Sequence, residues 1–150
     1  MKAAYITQTG APEVITFGEL PKPEPRGNEV LVKIAAAGVN PIDTYIRSGM
    51  VGMSLPSPYI IGCDLAGTVE QTGPLALRFN PGDRVWGSNQ GLMGRQGSFA
   101  EFCAVDEAWL YPTPANVSDE AAAAWALVGI TAQAVEPAGP TRLLPVRQSW

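Results

Sequence analysis

The chain has 150 residues, 46% of them hydrophobic and 16% charged, which supports one globular domain with a buried core and excludes a disordered chain. A net charge of −4 without any Lys/Arg cluster excludes a phosphate-tracking surface, so no nucleic-acid partner is expected. Two cysteines set no disulfide framework, and the absence of histidine removes the commonest general base and metal ligand together.

The 14 prolines and 16 glycines are spread along the whole length, a density that favours short strands and tight turns over a helix bundle. Met1 to Thr7 reads as a first strand, and it turns polar too early for a signal peptide. After a turn at Gly10-Ala11-Pro12, Val14 to Leu20 alternates as a second strand, antiparallel to the first. Pro21 to Gly27 carries three prolines that lack donors, so it is a connector. Val30 to Ala37 is a strongly apolar strand. Gly38 to Gly49 is a loop entering a short helix, with Pro41 in the first turn, Ile42, Tyr45 and Ile46 on one face, and Gly49 closing it.

Tyr59 to Gln71 is the next strand region, interrupted at Gly62 and Gly67, where a bulge or a close backbone approach is expected. Further strands follow at Arg84 to Trp86, Phe99 to Val105 and Leu110 to Pro114, with a glycine-rich loop from Ser88 to Ser98. Ser118 then caps the one long helix, Ala121 to about Val135, with Asp119 and Glu120 at the positive end of its dipole. Its apolar run from Ala121 to Ile130 is about half of what a membrane span requires, so no membrane association is expected. The cysteines suit a reducing cytoplasm.

A mainly β fold does not by itself name a function. The specific signal is an ordered series of motifs: Gly38-Val39-Asn40-Pro41-Ile42-Asp43-Thr44-Tyr45-Ile46-Arg47-Ser48-Gly49, Gly62-Cys63-Asp64-Leu65-Ala66-Gly67, Gly82-Asp83-Arg84-Val85, Gly97-Ser98-Phe99-Ala100-Glu101, and Ala121 to Ala124 followed by Gly129-Ile130-Thr131. The set resembles the medium-chain dehydrogenase/reductase superfamily over roughly residues 1–132. Its first motif is similar to the zeta-crystallin-like quinone oxidoreductases. The resemblance implies a GroES-like, partly open β-barrel over residues 1–132, with short helices and one longer C-terminal helix, followed by a divergent proline-rich tail over 133–150. It also implies hydride transfer from NADPH to a quinone without a metal.

On that resemblance, Asn40 and Asp43 belong at the cleft floor near the nicotinamide, Tyr45 lines the cleft as the candidate catalytic residue, and Thr131 approaches the cofactor from the crossing segment. The residues themselves leave other readings open. Asn40 is also a good turn residue, Asp43 a good helix-start residue, and Tyr45 a plausible packing residue of a short helix. The family often carries a second tyrosine six residues after Tyr45, where this chain has Val51. Zinc alcohol dehydrogenases of the same superfamily place cysteine and histidine ligands where this chain has Asn40 and Cys63, and the lobe of four structural cysteines is missing. No zinc is therefore expected, and Cys63 reads as a small buried residue.

A dinucleotide-binding fold announces itself by a glycine-rich turn between strand and helix, and none follows Thr131. A Rossmann domain is therefore not expected within these residues. NADPH is thus expected for the full-length family, with little or no binding by this chain alone. The expected function is that of an N-terminal fragment of an NADPH-dependent quinone oxidoreductase, inactive without a cofactor domain. The alternatives are a non-enzymatic GroES-like binding module or a nonfunctional truncation. Because the Ala121–Ile130 helix is apolar nearly all round, self-association into a homo-oligomer or capture of a partner through it, or else poor solubility, is expected.

Overall fold

In the computed structural model, which describes residues 1–135, Lys2–Ile6 (β1) and Thr16–Glu19 (β2) pair antiparallel, Lys2 opposite Glu19. The second strand is shorter than the alternation from Val14 predicts. Pro12–Val14 instead forms a single 3-10 turn, because Pro12 fixes its φ at a helical value and leaves no donor for a ladder. The other edge of β1 pairs with Tyr59–Ile60 (β4), giving a three-stranded sheet in the order β2-β1-β4.

The larger sheet has five antiparallel strands. Glu29–Ala36 (β3) lies between Phe102–Asp106 (β7) and Leu65–Thr72 (β5), and the sheet continues through Arg84–Gly87 (β6) to Leu110–Pro112 (β8). Val30, Val32, Leu65, Val85 and Leu110 are fully buried within it. Burying each stabilises the fold by about 1.5–3 kcal/mol. Segment 99–101 joins the two sheets: Ala4 N–H donates to the Phe99 carbonyl and Glu101 N–H to that of Lys2. The result is two antiparallel sheets in a barrel that stays partly open, with no closed ring of strands among the described residues.

The break predicted between β4 and β5 falls at Gly62, whose φ of 110° is a left-handed value that favours glycine. Pro41–Ser48 (α1) ends at Gly49, φ 82°, whose N–H bonds the carbonyls of Tyr45 and Ile46. Its buried side differs from the expected one. Asp43 and Ile46 are buried and Ile42 half-buried, while Tyr45 is 44% exposed.

Asp119–Val135 (α2) begins where Ser118 predicts, with Ala121 N–H donating to Ser118 Oγ at 3.2 Å. Asp119 is also held by Arg84 at 2.6 Å. Alanines let α2 lie close to the sheet: Ala122 and Ala123 pack on Ala66, flanked by Ala36, Trp86 and Val117. Trp125, beside this contact, is 70% exposed. No helix among the described residues is long and apolar enough to cross a membrane. Of the tail expected over 133–150, residues 133–135 belong to α2, and the rest lies outside the described residues.

Candidate functional site

Seven polar residues of the described chain are buried, and six of them, Asn40, Asp43, Asp64, Ser88, Gln90 and Ser98, belong to one connected region with Cys63. Three short segments bring them together: the entrance to α1, the turn between β4 and β5, and the loop that follows β6. Asn40 N–H donates to Asp43 Oδ2 at 2.7 Å, which ties the first turn of α1 to its own entrance. Asn40 Nδ2 donates to Asp64 Oδ2 at 2.9 Å. Ser88 Oγ donates to Asp64 Oδ1 at 2.5 Å, and Ser98 Oγ to the Asp64 carbonyl at 2.8 Å. Asp64 Oδ2 also accepts the backbone N–H of Leu127, from the middle of α2, at 3.0 Å.

Asp43 is 3% exposed, and its Oδ1 has no hydrogen-bond partner. Burial holds its carboxyl above the usual carboxylate range, against the lowering effect of the Asn40 N–H. The neighbouring Cys63 thiol is pushed up as well, by burial first and then by the Asp43 charge. Tyr59, whose hydroxyl donates to the Gly91 carbonyl at 2.8 Å, is raised by burial and then by Cys63 and Asp43. Burial thus shifts all three groups toward their neutral forms.

The predicted site residues fall into two sets. Asn40 and Asp43 are brought together, buried and bonded to each other and inward. Tyr45 and Thr131 face outward on α1 and α2, where Thr131 Oγ1 donates to the Leu127 carbonyl at 2.8 Å. Tyr45 does not pack the core; the helix buries Ile46 for that. Val51 is half-buried against the cluster of Ile6, Ile46, Tyr59 and Ile61. A cavity of about 190 Å³ opens beside that cluster, between Thr7–Thr9 and the segment Met53–Ser57. The α1 terminus adjoins it, since Gly10 N–H donates to the Arg47 carbonyl at 2.9 Å.

Sequence reasoning missed Asp64 as the centre of this network. Its signal was present: one carboxylate inside the apolar run Ile60-Ile61-Gly62-Cys63-Asp64-Leu65-Ala66 must be buried with its donors. Which donors those are depends on the tertiary fold.

Residues 26–115, more than half of the chain, match the family model of the alcohol dehydrogenase GroES-like domain. Quinone oxidoreductase from Mus musculus is 35% identical over 133 residues, covering 88% of this chain and 39% of the relative. A zinc-type alcohol dehydrogenase-like protein of Staphylococcus aureus is 40% identical over 111 residues, 74% of this chain and 32% of the relative. The crystal structure of Escherichia coli quinone oxidoreductase complexed with NADPH superposes with a TM-score of 0.80 at 31% identity, over 87% of this chain and 39% of that one. The chain thus spans about two-fifths of the length of the curated relatives it matches.

Zinc does not fit the donor set. Both Asp64 oxygens already accept hydrogen bonds, Asn40 offers an amide, and the Cys63 thiol is held in its neutral form. A catalytic zinc requires three deprotonated or neutral-imidazole ligands and an open position. Among the described residues, no three His, Cys, Asp or Glu side chains converge.

Proposed function

Since the chain belongs to the alcohol dehydrogenase GroES-like domain family, we propose that it supplies the substrate-side wall of an NADPH-dependent quinone oxidoreductase, with a quinone-type small molecule as its substrate. The observation that carries this reading is the division of the site into a buried, hydrogen-bonded polar floor and an outward pair. Asn40, Asp43 and Asp64 shape the floor from beneath, and Tyr45 and Thr131 are the groups left to face a nicotinamide and a quinone.

When bound, NADPH supplies a hydride, and the quinone takes it up together with a proton to become the hydroquinone. The chain's own residues contribute orientation and exclusion of water. Tyr45 presents an aromatic face for stacking and a hydroxyl that donates a hydrogen bond where a quinone oxygen gains charge. On the same reading Thr131, exposed on α2, approaches the nicotinamide, its hydroxyl proton given to the helix and its oxygen free to accept. The apolar side at Val51, Met53 and Leu55 suits a flat, poorly hydrated ring better than a small alcohol.

On this reading residues 1–132 belong to this wall and 133–150 lie outside it. NADPH affinity is proposed to come chiefly from a phosphate-cradling turn that this sequence does not contain, so the 150-residue chain by itself should bind NADPH more weakly than micromolar. The test is a hybrid in which this chain replaces the matching part of a quinone oxidoreductase, assayed for quinone-dependent NADPH oxidation. Turnover supports the proposal. A folded hybrid that binds NADPH and transfers no hydride to any quinone sinks it.

A further inference from the structure

A carboxylate in a protein interior needs a cation, a proton or a full set of donors. Asp64 is 1% exposed, and its donors come from three places that the sequence keeps far apart. Asn40 stands at the entrance to α1, Ser88 just past β6, and Leu127 in the middle of α2. Leu127 is the unusual member. It lies well beyond the first turn, whose N–H groups lack helical partners, so its N–H ordinarily stays in the helix ladder. A side chain that enters the ladder is one of the few causes of a local bend.

Gly38 fits this arrangement. A Cβ there would lie 2.7 Å from the carbonyl oxygen of Ala123 and 3.2 Å from the Cβ of Asp64. Ala123 carries the carbonyl that Leu127 N–H would meet in an unbroken ladder. The loop before α1 therefore seats directly on the turn of α2 that Asp64 engages. Thr131 is one turn further along and bonds the carbonyl of Leu127 itself.

We propose that Asp64 is a positioning residue: through one carboxylate oxygen it sets the Asn40 amide and the Leu127 turn of α2 in a single arrangement, so the two walls of the cleft move together. The purpose of this coupling rests on the cleft reading given above; the coupling itself is a property of this chain alone.

The experiment uses the isotope-labelled 150-residue chain and follows backbone and Asn side-chain amides by NMR. Asn40→Ala is expected to shift the Leu127 and Thr131 amides and to speed Leu127 exchange about tenfold. Val32 and Val69, in the β3–β5 core, should keep their protection. Asp64→Asn, close to isosteric, should move the Asn40 side-chain amide and the Leu127 amide together. If Asn40→Ala unfolds the chain, Asn40→Ser is read at the same two amides. A Leu127 amide indifferent to loss of the Asn40 amide, in a chain with intact core protection, overturns the coupling. A Leu127 response alongside an inactive hybrid sinks the functional reading and leaves the coupling standing.

Discussion

A methyl group on Gly67 would lie 2.1 Å from the carbonyl oxygen of Lys33 and 3.0 Å from the Cα of Ile34. These residues face one another across β3 and β5, next to a register shift between Ile34 and Ala36. The strands approach too closely there for any side chain, and both neighbours are backbone that cannot rotate away. Gly67→Ala should therefore destabilise the chain by about 3 kcal/mol or more, lowering Tm by roughly 10 °C. Gly129→Ala, in α2 with open space around it, should instead stabilise by about 0.5–1 kcal/mol. Thermal melts of the two variants decide it, and equal effects would contradict the crossing geometry.

Asp43 gives the opposite pH dependence from an ordinary paired carboxylate. Burial raises its native pKa above the unfolded value. The stability it contributes is full below the unfolded value and is lost as pH rises through the raised native one. Asp43→Asn cannot ionise and keeps an oxygen for the Asn40 N–H. The variant should match the wild type in acid, near pH about 3, and be at least as stable near pH about 7. A variant clearly less stable at neutral pH would show that the charged form of Asp43 supports the fold.

Neither cysteine should behave as a reactive thiol. Cys103 is pushed up to about 12 by burial and then by the Glu29 charge, and Cys63 is raised by burial and then by Asp43. At pH 8 the thiolate fraction of Cys103 is on the order of 10⁻⁴. A disulfide reagent should label both only after denaturation. Rapid labelling of the native chain would contradict the burial of either group.

Much of the fold was legible because glycine and proline punctuate it. Gly49 closes α1 in a left-handed conformation, Gly62 breaks the β4–β5 region, and Ser118 starts α2. Local periodicity misled at two places. The alternation from Val14 ran into a proline-fixed turn, and apolar spacing grouped Tyr45 with Ile42 and Ile46 on one face of α1, whereas the buried residues there are Asp43 and Ile46. The second miss has a physical cause. Hydrophobic spacing assumes that apolar residues face inward, whereas this floor is built from buried polar groups bonded to one another. The pairing of β1 with β4, and the meeting of Asn40, Ser88 and Leu127 on Asp64, depend on contacts distant in the chain that no local pattern carries.

The outer side of α2 should drive association. Trp125 and Val128 are 70% and 47% exposed, and Trp125 borders an apolar groove of about 300 Å³ with Trp86, Pro114 and Val117. Contiguous apolar surface of this kind is uncommon on soluble monomers. Light scattering should report concentration-dependent association that Trp125→Ser weakens. A monomer at high concentration, with Trp125 emission already shifted to the blue, would show this side buried within the chain.

Tyr45 carries the central claim, because it is the aromatic residue of α1 that the fold leaves facing outward. The direct measurement is the steady-state kinetics of Tyr45→Phe in the hybrid with a cofactor-binding half, set beside its NADPH dissociation constant. Loss of a hydroxyl that acts on developing charge should lower kcat about tenfold or more and leave NADPH binding nearly unchanged. An unchanged kcat, or a loss confined to NADPH affinity, would contradict the assignment of Tyr45 to the reacting quinone.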